Sequence, residues 1–491
     1  MFQGLNDKML KRVQHDNLKM TISLIFVPII LVILLNIPRL SGKTAYYAVL
    51  AFFIWQILSV FFPFTGSQQL AGLIGKVFTL NVYADGMSKI MIISAAIVGF
   101  VSLITSKAFS KYDSRLFSLS NLMLLSFAGI NGLVFTKDIF TMYVFIEVIA
   151  AASYILISLD KKDGALEGGF KYLIISSIAT VMMLFSISLF FLTAGSTGFA
   201  EISTAIRDFG GNPVILAAVM LFITGLLIKG GVIPFHSWLS GAYAEAPAGV
   251  SVFLGGIITK TVGIFALIRI LYLVTGFNEN IKMVLLITGA LSIVIGAIMA
   301  VTQKDFKRVL AYSSISQVGY IVLALGAGTA FGVAAALFHV FNHAIFKSLL
   351  FVNSAAVEKQ TGSLDVDSFG GLGYKMPVTS GTSAIAFLSA AGIPPFAGFW
   401  SKLLIILALW SAGYQGFAVL AVVASLFTMA YFLTLQKKVF FGELNPKLEN
   451  VREAPLSLTA CAIFLCALTI GVGLIFPYIL NVFIFPAVGI M

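Results

Sequence analysis

Long apolar runs separated by short polar connections make up nearly the whole chain. A run of about twenty apolar residues is the length at which a helix crosses a bilayer. Fourteen runs can be read: 20–36, 44–64, 85–106, 116–135, 138–158, 169–194, 213–239, 247–275, 281–301, 309–327, 330–357, 379–412, 415–436 and 455–485. The expected fold is all-α, an integral membrane protein of about fourteen transmembrane helices. Two runs, 213–239 and 379–412, are interrupted by Gly and Pro, and the interruptions resemble each other. Gly231-Val-Ile-Pro234-Phe235-His-Ser-Trp238 is matched by Gly392-Ile-Pro-Pro395-Phe396-Ala-Gly-Phe-Trp400. Proline removes a backbone donor and clashes with the preceding turn, so helix breaks are expected at Pro234 and Pro395. Paired broken helices at matching positions mark the midplane ion site of a transporter.

Charges inside the runs change the picture from span counting to chemistry. Glu147, Lys229, Lys260, Lys347 and Lys402 all interrupt apolar sequence. Each costs about 2.5–3.5 kcal/mol at a helix centre, so the five together carry roughly 12–17 kcal/mol of penalty. Such residues mark ion or proton paths. Glu147 is the one acidic residue read as deep in a run, and its natural partner is Lys229, five residues before Pro234. A static packing pair is the bland reading of those two. A desolvated lysine exchanges protons near neutral pH, whereas an arginine does not. Lys402 follows the second break, and Lys260 is followed by Arg269, so snorkelling to an interface competes with a relay role there.

His339, His343 and Lys347 recur at every fourth position and line one helical face. Histidine both donates and accepts, so this face can pass protons along. Haem ligation needs histidines on facing helices, and HxxxH without a nearby carboxylate is a poor zinc site. The segment 234–251 after the first break holds His236 and Glu245, an entry or inter-unit contact or simply loop capping. The segment 304–320 opens with a basic cluster, read as membrane anchoring, and continues with a Ser/Gln/Tyr face.

Composition agrees with the span reading. The 491 residues are 59% hydrophobic and 10% charged, and the mean hydropathy is +1.02. The net charge of +11 is dispersed among short loops, which argues against a nucleic-acid partner. Lys and Arg concentrate after the first, third, fifth, ninth, eleventh and thirteenth runs, placing both termini outside by the positive-inside rule. The polar stretch 1–19 reads as an extension, either a signal n-region or a start misplaced from Met20. Cys461 and Cys466 lie in the last run and form no metal or disulfide spacing. No Walker loop, dinucleotide fingerprint, CxxC pair or serine-nucleophile motif occurs. No catalytic chemistry of its own, no cofactor and no metal are expected.

Several of these motifs together carry a resemblance. Glu147, KGGVIPFHSWLxxAYxEAP (229–247), Lys260, KDFKRVLAYSSISQVGY (304–320), HxxxHAxFKxLLF (339–351) and GIPPFxGFWSK (392–402) resemble the antiporter-like membrane subunits of respiratory complex I, membrane-bound hydrogenases and Mrp cation/proton antiporters. The match runs from about Asp85 to Lys438 and is similar to the shorter members, the D-type Mrp member included; Lys402 stands where one complex I member has glutamate. The resemblance implies fourteen helices with two inverted five-helix repeats. The expected division is N-terminal helices at 20–110, repeats at 111–275 and 276–436, and a C-terminal loop and last helix at 437–491. It also implies that Glu147 and Lys229 form a gating pair, that Lys260 and the His339/His343 face connect the halves, and that Lys402 is the terminal exchanger. Other membrane subunits, the lipid bilayer and H⁺, with Na⁺ left open, are the implied partners, in the cell inner (plasma) membrane. A stand-alone monovalent cation/proton antiporter is the alternative. A haem- or quinone-binding redox subunit is the third reading, disfavoured by the one-sided histidines.

Overall fold

The computed structural model describes residues 20–37, 40–61, 66–70 and 80–490, so the extension at 1–19 lies outside the described residues. Helices dominate it. The first group is α1 (Met20–Asn36), α2 (Gly42–Ser59), α3 (Gly86–Phe109), α4 (Asp113–Phe135), α5 (Ile139–Ile157), α6 (Asp163–Ala194) and α7 (Phe199–Phe209). Next come α8 (Pro213–Lys229), α9 (Ser237–Glu245), α10 (Ala248–Thr275), α11 (Glu279–Thr302), α12 (Phe306–Gly326) and α13 (Ala330–Thr361). The chain ends with α14 (Pro377–Ala391), α15 (Ala397–Ser411), α16 (Gln415–Phe440), α17 (Leu456–Leu474) and α18 (Phe476–Ala487).

Among the described residues, ten helices are long and apolar enough to span a membrane alone, and four shorter apolar ones accompany them. The fourteen runs are therefore not reproduced helix for helix. Runs 213–239 and 379–412 divide at the prolines, as α8/α9 and α14/α15. The run 455–485 divides too: α17 stops at Leu474 ahead of Pro477, which lacks the N–H that would continue the ladder and whose ring clashes with the preceding turn. The run 44–64 ends early, at Ser59, and is followed by a two-stranded antiparallel hairpin, β1 (Gly66–Leu70) and β2 (Leu80–Ala84). The short α7 buries Phe199, Ile202 and Ala205 at three-residue spacing and packs against the end of α10.

Burial is graded. The best spanning windows of α12 and α13 are 94% buried, whereas that of α6 is 33% buried. His339, His343 and Lys347 thus sit on one of the most enclosed helices, whereas Glu147 comes from the less buried α5. Small residues let the central helices touch, as in other membrane bundles. A Cβ on Gly296 would lie 2.7 Å from Ser316 N, and one on Gly319 would lie 2.7 Å from Ile293 N. These two glycines set the α11–α12 contact.

Charged connections gather on one face. There Arg115 pairs with Asp160, Arg308 with Glu245, and Lys304 and Lys438 both with Asp367. Glu453 accepts from the backbone of Val378 and Thr379 and so caps α14 on this face. The opposite face joins Asp138 to Thr197 and Tyr414 to Glu279. Hence α8 runs from the opposite face inward and α9 continues to the basic face. The α14/α15 pair runs the other way, so the two broken helices are inverted relative to each other.

Asp367 is held below the usual carboxylate range by hydrogen bonds from Lys438 and Lys304. A lowered carboxyl contributes stability that is present above its unfolded value, near 4, and disappears as pH falls through its folded value. The group is exposed, so salt screens the effect. Asp367→Asn is expected to flatten the loss of thermal stability between pH 5 and pH 3 in low salt, read as the unfolding temperature of detergent-solubilised protein at those pH values. An unchanged pH slope would exclude this clamp as a contributor.

Candidate ion-translocation path

Lys229 is the last residue of α8, where unsatisfied carbonyls favour a cation. Its ammonium donates to Glu147 Oε1 at 2.8 Å, Ser176 Oγ at 2.5 Å and Thr180 Oγ1 at 3.4 Å. Ser176 and Thr180 lie one turn apart on α6, and Thr180 also donates to Glu147 at 2.8 Å. The Lys229 side chain is 0% exposed and that of Glu147 31%, so the pair joins a dry cation to a partly accessible carboxylate. Beyond Lys229 the chain turns through Gly231, at φ +68°, a region that suits glycine. Trp238 Nε1 donates to the Ile228 carbonyl at 3.2 Å and satisfies an acceptor freed by the break.

Lys260 lies on α10, one of the helices that touch this break. A Cβ on Gly263 would sit 2.3 Å from Gly230 Cα, so α10 and the end of α8 meet backbone to backbone. Around Lys260 the helix is π-wound, at Leu254–Ile258 and Lys260–Phe265. Lys260 is fully buried, and its ammonium donates to the Gly255 carbonyl. It does not snorkel. His343 lies one turn before Lys347 on α13, and among the described residues neither of its ring nitrogens has a hydrogen-bond partner. Its ring centre lies 6.1 Å from that of His339. Lys347 leaves this line sideways, donating to the Leu310 carbonyl at 2.9 Å and to Ser313 Oγ at 2.5 Å.

The second break mirrors the first. Gly392 has φ +85°, and both breaks hold a cis peptide, Ile233–Pro234 and Pro394–Pro395. Gln317 donates to Ala390 O at 3.4 Å and Asn342 to Ala397 O at 3.0 Å, tying the break to α12 and α13. His339 hydrogen-bonds Ser401 Oγ at 2.9 Å and Gln317 Oε1 at 3.2 Å. Lys402, next to Ser401, donates to the Ala391 carbonyl at 3.3 Å and stands 4.5 Å from the centre of the Tyr320 ring. The fold therefore brings Glu147 to Lys229 and strings Lys260, His343, His339 and Lys402 between the two breaks. His236 and Glu245 stand apart from this line and from each other, at opposite ends of α9, roughly 13 Å along the helix. Glu245 pairs with Arg308 at 2.9 Å.

Three buried elements escaped the sequence reading. Glu147 is not the only enclosed carboxylate: Asp85, 18% exposed, forms a two-pronged pair with Arg269 at 2.5 and 2.7 Å. Lys307, read as a surface anchor, is buried and sits 3.0 Å from Glu358. The hydroxyl pair Ser176/Thr180 was visible only as i, i+4 spacing in an otherwise apolar run.

The motif-bearing part of the chain matches the family model described as NADH:quinone oxidoreductase/Mrp antiporter, transmembrane, over residues 136–428. The chain belongs to that family. It is similar to the NADH-quinone oxidoreductase subunit N of Desulforudis audaxviator, 33% identical over 409 residues that are 81% of each chain. It is likewise similar to the D-type Na(+)/H(+) antiporter subunit of Alkalihalophilus pseudofirmus, 32% identical over 413 residues, 82% of this chain and 83% of the other. In fold it is similar to a chain of the Mrp complex from Dietzia sp., with a TM-score of 0.87 at 22% identity, covering 96% of this chain and 97% of that one. Membership of this transmembrane family places the chain in the prokaryotic plasma membrane.

The Gly230–Gly263 contact is the tightest link between the first break and Lys260. Gly263→Val is expected to destabilise the protein by about 1–3 kcal/mol through overpacking. Gly471→Val, where nothing lies within 4 Å of an added Cβ, is the control. Equal unfolding temperatures for the two variants in detergent would refute the close contact.

Proposed function

We propose that the chain is the proton-translocating membrane subunit of a multisubunit complex. The relatives are named as subunits, one of an NADH-quinone oxidoreductase and one of a Na(+)/H(+) antiporter, which supports a role inside an assembly. The observation that carries the reading is the Glu147–Lys229 pair seated beside a helix break. Closed, the carboxylate stabilises the ammonium. Opened by a neighbouring subunit, the pair leaves a cation in a dry site, and the proton is driven on to the next acceptor.

That acceptor is Lys260, the buried amine whose helix touches the first break at Gly263 and Gly230. From there His343 and His339 continue the line to Ser401 and Lys402 at the second break. Histidine donates and accepts in turn, which is what a relay between two lysines requires. His339 spends both ring nitrogens on hydrogen bonds, so it is engaged as a relay element and not held ready as an axial ligand. Lys347 stands as a side branch of the same line. The polar tie between Gln317, His339 and Ser401 is the last link of the line before Lys402.

The test is proton flux in vesicles holding the whole native assembly. Glu147→Gln and Lys229→Ala are each expected to lower flux roughly a hundredfold, the scale of a lost proton-transfer group. Wild-type flux in both, with the complex assembled, would make the pair structural and end this reading.

A further inference from the structure

The Lys307–Glu358 pair is built like the Glu147–Lys229 pair. In each a buried lysine, 3% exposed at Lys307, meets a partly accessible carboxylate, 28% exposed at Glu358. The ammonium of Lys307 donates to the Ala246 carbonyl at 3.3 Å. Glu358 Oε2 lies 3.0 Å from it, yet this buried oxygen receives no aligned hydrogen bond. The contact is one of charge, and the oxygen keeps an unused acceptor position. Charged neighbours are Arg308 with Glu245, Asp305 at the start of α12, and Lys359, whose ammonium lies over the Phe109 ring. All stand at the basic face.

Two geometric facts aim the pair at Lys347. Glu358 follows Lys347 by eleven positions on α13, about three turns, which returns it to nearly the same helical face. The ammonium of Lys347 is anchored on α12 at Leu310, and Lys307 is three residues before Leu310. The Lys307 backbone therefore lies one turn, a rise of about 4.5 Å, before the carbonyl that holds the Lys347 ammonium. Lys347 lies one turn after His343 on the same face of α13 and so joins the central line.

We propose that Lys307 and Glu358 form a second loading gate, admitting protons from the basic face to Lys347. A proton from bulk water binds the Glu358 carboxylate and frees it from Lys307. It passes along the α12 surface to the Lys347 amine once that residue has given its own proton to the central line. Glu358 is left ionised and pairs with Lys307 again. Glu245 and Arg308 flank the mouth, which gives the segment after the first break a place at an entry. This inference rests on the proton-relay reading above.

The experiment is proton flux in vesicles of the whole assembly, comparing Glu358→Gln with Lys229→Ala, with and without sodium formate as a diffusible carboxylate. Glu358→Gln is expected to lose flux, up to roughly a hundredfold, and formate to restore about tenfold of that loss. Loss without rescue by formate or by Glu358→Asp would make the pair a brace between α12 and α13 and overturn the inference. Wild-type flux in Glu358→Gln beside a silent Lys229→Ala would overturn this gate alone. Wild-type flux in both would remove the relay and the gate together. Should Glu358→Gln fail to assemble, Glu358→Ala takes its place: reduced flux that formate or Glu358→Asp restores supports the gate, and wild-type flux or a loss that neither restores overturns it.

Discussion

The cost of holding an ammonium in a hydrocarbon interior governs this structure. Four lysines are held there, three of them on backbone carbonyls. Lys229 is met instead by the side chains of Glu147, Ser176 and Thr180. Lys260 takes the carbonyl of Gly255, Lys347 that of Leu310 and Lys402 that of Ala391. In an uninterrupted α-helix those carbonyls are largely committed to the turn above. A break or a π-wound stretch loosens that commitment, and irregular backbone is tolerated at depth only where protein surrounds it. Irregular backbone therefore accompanies three of these cations, while the acceptor of Lys347 lies within the regular α12.

Packing follows from the same demand. A broken helix gives up internal hydrogen bonds, so its neighbours must supply them, and they do so at short range. Gln317 and Asn342 donate to the second break, and Trp238 to the first. Short range needs small residues: Gly263 against Gly230, and Gly473 against the carbonyl of Pro395. α17 thus ends at the second break, where Phe476 stacks on Trp400 with ring centres 3.6 Å apart. The early end of that helix, unexpected from its apolar run, belongs to the same construction.

What was legible in sequence is what contrasts with its surroundings. A charge in an apolar run stands out, so Glu147 and the four lysines were visible, as were the breaks, because Gly and Pro act locally. The π-winding of α10 was not, since it leaves the apolar pattern intact. Asp85 opens its run and reads as a helix cap, which it also is. Glu358 stands one position beyond the run read as 330–357, and Lys307 falls in a basic cluster that charge statistics assign to the surface. Run boundaries hid partners that only tertiary contact reveals. The number of spans was also less legible than their positions, because broken and short helices do not separate cleanly by length.

The contrast between Arg269 and Lys260 on one helix shows how residue type divides labour. They are nine positions apart on α10. Arg269 is fixed from several directions: Asp85 through two nitrogens, Ser88 Oγ at 2.7 Å, and the Phe265 ring 5.0 Å away. Guanidinium keeps its proton and suits such a fork, which makes this pair an anchor between α3 and α10. Lys260 has one backbone acceptor and otherwise faces histidine and lysine. A compact ammonium with so few ties gives up its proton without dismantling a network. The anchored arginine holds the helix in register, and the loosely held lysine is thereby left free to change its charge.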